Sequence, residues 1–173
     1  MKTERAWHFV GDTLRDGRPV PKDGVWLVHE GPVKMCESGL HASTSAFDAL
    51  QFAPGATLCL VDCADVVARE VDKLVCRRRR IVARMDATEL LRYFARMQAV
   101  SVLHLWESDP PDVVLDYLMT GDESLRAAAW AAAWAAAGDA AWAAAGDAAG
   151  DAARAAARDD FNVLVNDCFE AWL

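Results

Sequence analysis

An alanine-rich repeat near the carboxyl end is the feature that most constrains how this chain folds. Between Ala127 and Ala157, 21 of 31 residues are alanine. From Arg126 the sequence repeats in groups of four residues, and each group begins with Arg, Trp or Gly. Alanine has the highest intrinsic helix propensity, so the repeat predicts a long helical region. Because a helix has about 3.6 residues per turn, a period of four rotates the marked positions around it and presents no fixed stripe to a core.

Two arrangements of this region remain open. One is a single long helix that stands partly free, or pairs with a second copy through Ala and Gly contacts. The other is a helix that breaks near Gly138 or Gly146 and folds back. We favour the single helix, because each interior glycine costs only about 1 kcal/mol relative to alanine. Residues 161–172 recover ordinary amphipathicity, so we expect this end to pack on its own domain or on a second subunit.

The first 121 residues have the pattern of a mixed α and β domain. The predicted strands are Arg5–Val10, Val25–Glu30, a very short Val33–Cys36, the buried Thr57–Cys63, a short strand within 66–75, and Arg77–Met85. The predicted helices are one from Ser45 to about Ala53, one from Ala87 to about Trp106 after an Asp86–Glu89 capping box, and Asp112–Met119. We therefore predict an α+β fold, with a small, mostly antiparallel sheet and two packed helices in 1–121, followed by an Ala-rich helical region in 122–173.

Charge and cysteine content limit the classes of partner. The net charge is −8, and most of it belongs to residues 122–173. An acidic half argues against general phosphate binding, so a nucleic-acid partner is not expected. The five cysteines are odd in number and lack C-x-x-C spacing, and no apolar leader opens the chain. These features predict reduced thiols, a cytoplasmic location and no membrane span.

The stretch from Gly31 to Gly55 concentrates residues that suggest a site. His41 follows Gly39, so a tight turn would set the direction of its imidazole. It could contact a ligand or act as an acid–base group, or it could simply hydrogen-bond the local backbone. Ser43, Thr44 and Ser45 would cap a helix, and such a cap could receive a phosphate. The cysteine and histidine spacings match no standard zinc pattern, so no metal is expected.

Two other clusters are candidates for interaction. Arg77–Arg80 could grip phosphates or carboxylates, but on a strand only alternate side chains, such as Arg78 and Arg80, point together. The simpler interpretation is an edge strand protected by charge. In the repeat, tryptophans alternate with carboxylates that suit an interface: Trp130, Trp134, Trp142, Asp139, Asp147 and Asp151.

The run from Met35 to Ser43, Met-Cys-Glu-Ser-Gly-Leu-His-Ala-Ser, is followed by Asp48 to Gly55, Asp72-Lys73 and Arg80-Ile81. This pattern resembles an uncharacterised family of bacteriophages and their bacterial hosts, with a Gly-(Leu/Phe)-His core in a small α/β domain that is often followed by Ala-rich repeats. The resemblance covers about residues 5–90 and implies no established activity.

A more distant similarity is to ADP-ribosyltransferases, which place a His or Arg on an early strand, hydroxyl residues before a helix and a catalytic Glu on a later strand. It implies NAD as cofactor and a catalytic set of His8, His41, Ser43, Ser45 and Glu70, although the family's Glu-x-Glu or Gln-x-Glu pattern is missing. Our leading expectation is instead a non-enzymatic accessory protein of phage or mobile-element type. It would need no cofactor and would regulate or inhibit a host factor through the acidic Ala/Trp helix, with homo-oligomerisation as a further use of that helix. The alternative is an enzyme or nucleotide-binding module that resembles the transferases.

Overall fold

A computed structural model describes residues 2–106, 109–136 and 147–172. The strands are β1 (Thr3–Val10), β2 (Leu27–Val28), β3 (Leu40–Ala42), β4 (Thr57–Arg69) and β5 (Leu74–Asp86). The helices are α1 (Ala46–Leu50), α2 (Thr88–Ser101), α3 (Asp112–Thr120), α4 (Arg126–Ala136) and α5 (Asp147–Cys168), with short 3-10 turns at Leu103–Leu105 and Glu170–Trp172. The predicted α+β class is confirmed. Within the described residues, no helix has the length and apolarity needed to cross a membrane.

The chain divides into two compact units. One contains Met1–Thr88 together with Asp160–Leu173, and the other is Glu89–Asp159. This division differs from the boundary near residue 121 that composition indicates, because the last residues of the chain belong with the sheet. The switch from an Ala-rich to an amphipathic pattern near Phe161 marks the point at which the chain rejoins the first unit.

The sheet of the first unit is built on the long antiparallel hairpin of β4 and β5. β1 pairs with the other edge of β4, while β2 and β3 pair with the other edge of β5. Trp7 and Ser43 exchange two backbone hydrogen bonds of 2.8 Å, which join β1 to the residue after β3. The sheet therefore closes on itself, and its inner face is separated from its outer face.

Irregularities in the hairpin allow this closure. The register of β4 against β5 shifts between Leu60 and Val61 and again between Val66 and Ala68. Asp65, just before the second shift, has a φ of 53°. Such bulges bend a strand and increase its twist, so two 13-residue strands can curve around a small interior rather than extend as a flat ribbon.

The interior of the closed sheet is filled mainly by small side chains. Its buried cluster consists of Ala6, Val10, Ala42, Cys59, Val61, Cys63, Leu74, Cys76 and Ile81. β4 is buried at every position from Leu58 to Ala64, on both faces. A strand covered on both sides reads as a continuous apolar run, which is why the prediction of a buried central strand was confirmed.

The outer face of β1 and β4 is covered by α1 and by the end of α5. Trp7 meets Phe169 edge to face with ring centroids 5.1 Å apart, and Phe47 meets Phe161 in the same way at 6.1 Å. The Asn162 side-chain oxygen accepts a hydrogen bond of 3.0 Å from the backbone N–H of Phe47. The expected packing of the amphipathic end therefore occurs within its own chain.

Three predicted strands are corrected. The short strand within 66–75 is not a separate element, because residues 66–69 belong to β4 and residues 74–75 to β5. Val33–Cys36 is not a strand: it enters a turn in which the Lys34 N–H donates to the Ser38 carbonyl, and Cys36 has a φ of 62°. The third strand comes after Gly39, whose φ is 106° and whose missing Cβ would lie 2.8 Å from Val33 and Val75. Only glycine fits there, so the strand begins where the turn ends. The predicted Val25–Glu30 strand shortens to β2.

Helix starts were predicted more closely than helix ends. Ser45 caps α1 by accepting from the Asp48 N–H at 3.2 Å, as its spacing indicated. Asp86 accepts hydrogen bonds from the N–H and the hydroxyl of Thr88 at the start of α2, and the Asp86–Glu89 capping box stays a prediction. In the Ala-rich region α4 and α5 are helical, but residues 137–146, which include Gly138 and Gly146, lie outside the described residues. The single continuous helix therefore remains a prediction.

We expect Phe161→Ala to lower the free energy of unfolding by about 3 to 5 kcal/mol, because it removes a fully buried ring from the outer face of the sheet. Val163, two residues along the same helix, is exposed, so Val163→Ala should change it by less than about 0.5 kcal/mol. Urea unfolding of both variants measures the difference. Equal effects would show that α5 does not pack on the sheet.

Candidate functional site

An apolar groove runs between the helices of the 89–159 unit. Its volume is about 340 Å³ and its lining is almost entirely apolar: Ala99, Val102, Leu103, Trp106, Val114, Tyr117, Leu118, Arg126, Ala129, Trp130 and Ala133. The floor comes from α3 and α4, where Val114, Leu118 and Ala129 pack together. The groove stays open because the alanines that α4 contributes are too small to fill it.

Trp130 and Trp134 lie on one side of α4 beside this groove. Their rings stack with centroids 5.6 Å apart and an interplanar angle of 24°. Residues four apart share a helix face, so the tetrad spacing of the sequence produces the pair directly. Trp130 is 69% exposed and Trp134 is 65% exposed. Two large exposed rings next to a groove form a surface typical of a binding site.

The repeat contains four other residues that were predicted to take part in the interaction. Trp142 and Asp139 lie outside the described residues. Asp147 and Asp151 belong to the backbone of α5, but their side chains fall outside the description. The interaction surface that the structure describes therefore consists of the groove and the Trp130–Trp134 pair.

Arg77–Arg80 does not lie on an edge strand, so that interpretation was wrong. β5 is paired on both sides, with β4 on one edge and β2 and β3 on the other. The alternation of the four arginines is real: Arg79 pairs in register with Cys63 of the inner face, whereas Arg78 and Arg80 take the opposite face. The alternation of side chains along a strand predicted that the four arginines divide between the two faces of the sheet. It did not show that Arg79 lies on the inner face.

Arg78 and Arg80 are held by neighbours of their own unit. Arg78 pairs with Asp65 at 2.8 Å and Arg80 pairs with Asp62 at 2.8 Å. Both guanidinium groups lie over the Trp26 ring, at 6.0 Å and 4.9 Å from its centroid. These contacts give Arg78 and Arg80 a clear structural role on the outer face.

Asp62 is the centre of this outer network. It accepts hydrogen bonds from Arg5 at 2.8 Å and from Arg80 at 2.8 and 3.0 Å, and its side chain is only 6% exposed. Burial raises the pKa of Asp62, but the hydrogen bonds from the two arginines outweigh it and hold the pKa below its ordinary value. Asp62 therefore links β1 to β5 across β4 as a carboxylate.

The inner face holds a second polar group of residues around Arg79. Arg79 is buried and donates a hydrogen bond to the His41 carbonyl oxygen. His8, partly buried on the same face, pairs in register with Cys59. Burial, followed by the nearby positive charges of Arg79 and His41, lowers the pKa of His8 well below its ordinary value near 6.5. At neutral pH the His8 imidazole is thus uncharged beside a buried cation.

Three thiols surround the same guanidinium. Burial raises the pKa of Cys59 to about 11. A hydrogen bond between Cys63 and Cys76, together with burial, raises the pKa of Cys63, and that bond lowers the pKa of Cys76. Within the described part of the chain, no group of three or more His, Cys, Asp or Glu side chains is placed to hold a metal ion.

The residues of the transferase-like alternative are not brought to one cleft. His8 lies on the inner face, whereas His41 alternates with Leu40 and Ala42, which pack inside, so its ring faces the other way. The His41 Nε2 accepts from the backbone N–H of Cys36 at 3.0 Å, which is the local role that the sequence allowed. Burial, followed by the charges of Arg79, Arg15 and Lys73, lowers the His41 pKa.

The remaining members of that set have structural contacts of their own. Ser43 is buried and joins β3 to β1 through its backbone. Ser45 is the cap of α1. Glu70 lies at the turn between β4 and β5, where it pairs with Lys73 at 3.0 Å.

We expect Asp62→Asn to lower the free energy of unfolding by about 2 kcal/mol, because a nearly buried carboxylate loses charged hydrogen bonds to two arginines. Asp65→Asn, at an exposed carboxylate paired with one arginine, should cost less than about 1 kcal/mol. The loss at Asp62 should also shrink at acid pH. The pKa of Asp62 is lower in the folded than in the unfolded chain, so its carboxylate stabilises the fold fully above the unfolded-state pKa. This stabilisation is lost as the pH falls through the folded-state pKa. Denaturant unfolding at neutral and acid pH tests both expectations.

The lowered His8 pKa predicts a pH-dependent stability. Below about pH 6.5 the unfolded chain binds a proton at His8 that the folded chain does not, so the free energy of unfolding decreases as pH falls. We expect His8→Gln to flatten this decrease between about pH 7.5 and about pH 5. His41→Gln should flatten it less, because the pKa of His41 is lowered whereas that of His8 is lowered well below its ordinary value. Identical slopes in the wild type and His8→Gln would contradict the assignment.

Comparison with known proteins adds a family but no activity. A family model described as a domain of unknown function, DUF7666, matches residues 5–93. Nothing matches this chain among curated proteins or solved structures. The matched range runs from β1 into α2, so it contains the polar inner face around Arg79 and ends before the first lining residue of the groove. The match covers more than half of the 173 residues, and the chain belongs to the DUF7666 family.

Proposed function

We propose that this protein is a non-enzymatic accessory protein whose 89–159 unit binds a basic amphipathic helix of another protein. The observation that carries the proposal is the open apolar groove flanked by the exposed, stacked Trp130 and Trp134. Exposed aromatic residues beside a concave apolar surface are favourable anchors for a protein partner. An amphipathic helix is the occupant that suits a groove between helices, since it can lay one apolar face into it.

The charge of this unit favours a basic partner. Residues 89–159 contain eleven acidic and five basic side chains. Glu123 pairs with Arg92 and Arg126, but Asp112, Asp116 and Asp122 have no ion-pair partner among the described residues. All three are exposed, on α3 or just after it. Carboxylates without a basic neighbour can complement lysines or arginines on the polar face of a bound helix, which mainly increases its specificity and rate of association.

The sequence resemblance to phage and bacterial proteins makes a host or phage protein the partner that we expect. Binding to such a protein would let this chain regulate or inhibit it without chemistry of its own. The groove lies outside the matched family domain, so on this proposal the partner is particular to chains that carry this helical unit. The family domain would then supply a different, shared property.

Trp130→Ala should weaken binding of a synthetic leucine–lysine helix of about 18 residues, five helical turns, by tenfold or more. This loss is typical of a central aromatic anchor. The measurement is fluorescence anisotropy of the labelled peptide titrated with the whole chain. Met119→Ala is the matched control, because Met119 is an exposed apolar residue of the same unit that does not line the groove. It should leave the affinity unchanged.

A leucine–glutamate peptide of the same length should bind more weakly than the basic peptide. Equal affinity of the two peptides, or equal affinity of the wild type and Trp130→Ala, would overturn the proposal. Sedimentation of the wild type provides a further check. A dimer that Trp130→Ala dissociates would make a second copy of the chain the occupant of the groove and would also overturn the proposal.

A further inference from the structure

Arg79 is the most buried arginine of β5. Arg78, Arg80 and Arg84 pair with Asp65, Asp62 and Asp23, respectively. Arg79 is only 6% exposed, yet among the described residues it has no carboxylate partner. Among the described residues, its hydrogen bond goes to a neutral acceptor, the carbonyl oxygen of His41. Arg77 also has no carboxylate partner there, but it is only half-buried and donates to two carbonyl oxygens, so Arg79 is the more deeply buried of the two arginines without a counter-ion.

A buried guanidinium without a counter-ion is expensive to maintain. Arginine keeps its proton in proteins, so Arg79 cannot become neutral as a buried lysine or carboxyl group can. The charged groups that act on it within the described residues are the thiols of Cys63, Cys76 and Cys59. Burial raises the pKa of Cys59, so that thiol is protonated at neutral pH. The hydrogen bond with Cys63 and the charge of Arg79 lower the pKa of Cys76, whereas its Sγ lies 3.2 Å from the Leu40 carbonyl oxygen, to which only a protonated thiol can donate.

The Arg79 guanidinium also has N–H donors that are free to bind a ligand. In the described residues, no fully buried side-chain nitrogen or oxygen lacks a hydrogen-bond partner. Among the described residues Arg79 donates only to His41, so its remaining N–H donors have no protein acceptor there. His8 on the same face is likewise only partly buried. An arginine fork contains five N–H donors, so enough remain to bind two oxygen atoms of one anion.

Several side chains on the inner face are small. Ala6, Ala42 and the cysteines line the interior where larger apolar residues would normally fill a sheet core. The His8 imidazole is uncharged at neutral pH. It can therefore donate a hydrogen bond to an anion without placing a second positive charge beside Arg79. The buried charge of Arg79 and its unused N–H donors favour one oxyanion group.

We propose that Arg79 anchors a binding site for the oxyanion of a small molecule, a carboxylate or a phosphate group, which enters the inner face of the closed sheet and supplies the missing counter-charge. The site lies in the DUF7666 domain, whereas the helix-binding groove lies in the other unit. It is therefore independent of the function proposed above, and either one can fail without the other.

The test compares the Tm of the whole chain in sodium phosphate, sodium acetate and sodium chloride at equal ionic strength. We expect phosphate or acetate to raise the Tm by a few degrees above chloride, because a ligand that binds only the folded state stabilises it. A rise with phosphate alone would assign a phosphate-bearing ligand, and NAD, AMP and inorganic phosphate would then be compared. A rise with acetate alone would assign a carboxylate.

Arg79→Gln should abolish the rise, and Arg79→Lys should weaken anion affinity at least fivefold, because an ammonium group cannot form the two parallel bonds of a guanidinium. Arg78→Gln is the matched control, since it removes the adjacent arginine from the opposite face, and it should keep the full rise. Calorimetric titration of Arg79→Lys supplies the result if Arg79→Gln does not fold.

Two results would overturn the proposal. One is the absence of any rise with phosphate or acetate relative to chloride in the wild type. The other is an unchanged rise in Arg79→Lys. If the first result is accompanied by thiolate absorbance near neutral pH that disappears in Cys76→Ser, Cys76 is the counter-ion of Arg79.

Discussion

The pairing of β4 with β5 is the interaction on which the rest of the fold depends. Every other strand attaches to an edge of this hairpin, and its two register shifts give it the curvature that lets β3 meet β1 through Ser43 and Trp7. Without that curvature the sheet would present two flat faces, and neither would enclose anything. Closure instead creates a small interior and a separate outer face that α1 and the end of α5 cover. The buried positions of β4 follow from the same geometry.

The charged side chains on the two faces of the hairpin have different surroundings. On the outer face, Asp62 joins Arg5 and Arg80, and the Trp26 ring lies beneath the arginines of β5. On the inner face, Arg79 is surrounded by thiols and the uncharged His8 and has no carboxylate among the described residues. Buried charges are normally paired, so this contrast within one strand is the strongest indication of a ligand in the family domain.

The helical unit has a different physical basis. Its core is the contact of α3 with α4, in which Val114 and Leu118 meet Ala129. Alanine favours the helix but contributes little buried area, so the packing leaves a groove, and the tryptophans that could have filled it stack on its side in contact with solvent. The repeat thus builds a stable helix and an unfilled surface at the same time. That combination suits recognition better than it suits a core.

The amino-acid sequence by itself determined the local features of this protein: the α+β class, the buried run of β4, the Ser45 cap, the tight turn at Gly39 and the shared face of Trp130 and Trp134. Each depends on residues close in the chain, whose propensities and spacing act directly on the backbone. The packing of the folded chain determines that Arg79 faces inward, that Asp62 accepts hydrogen bonds from two arginines, that His8 and His41 lie on different faces, and that Phe161 packs on the sheet. These depend on strand order, bulges and closure, which bring together residues far apart in the chain and leave no periodic signal in the sequence.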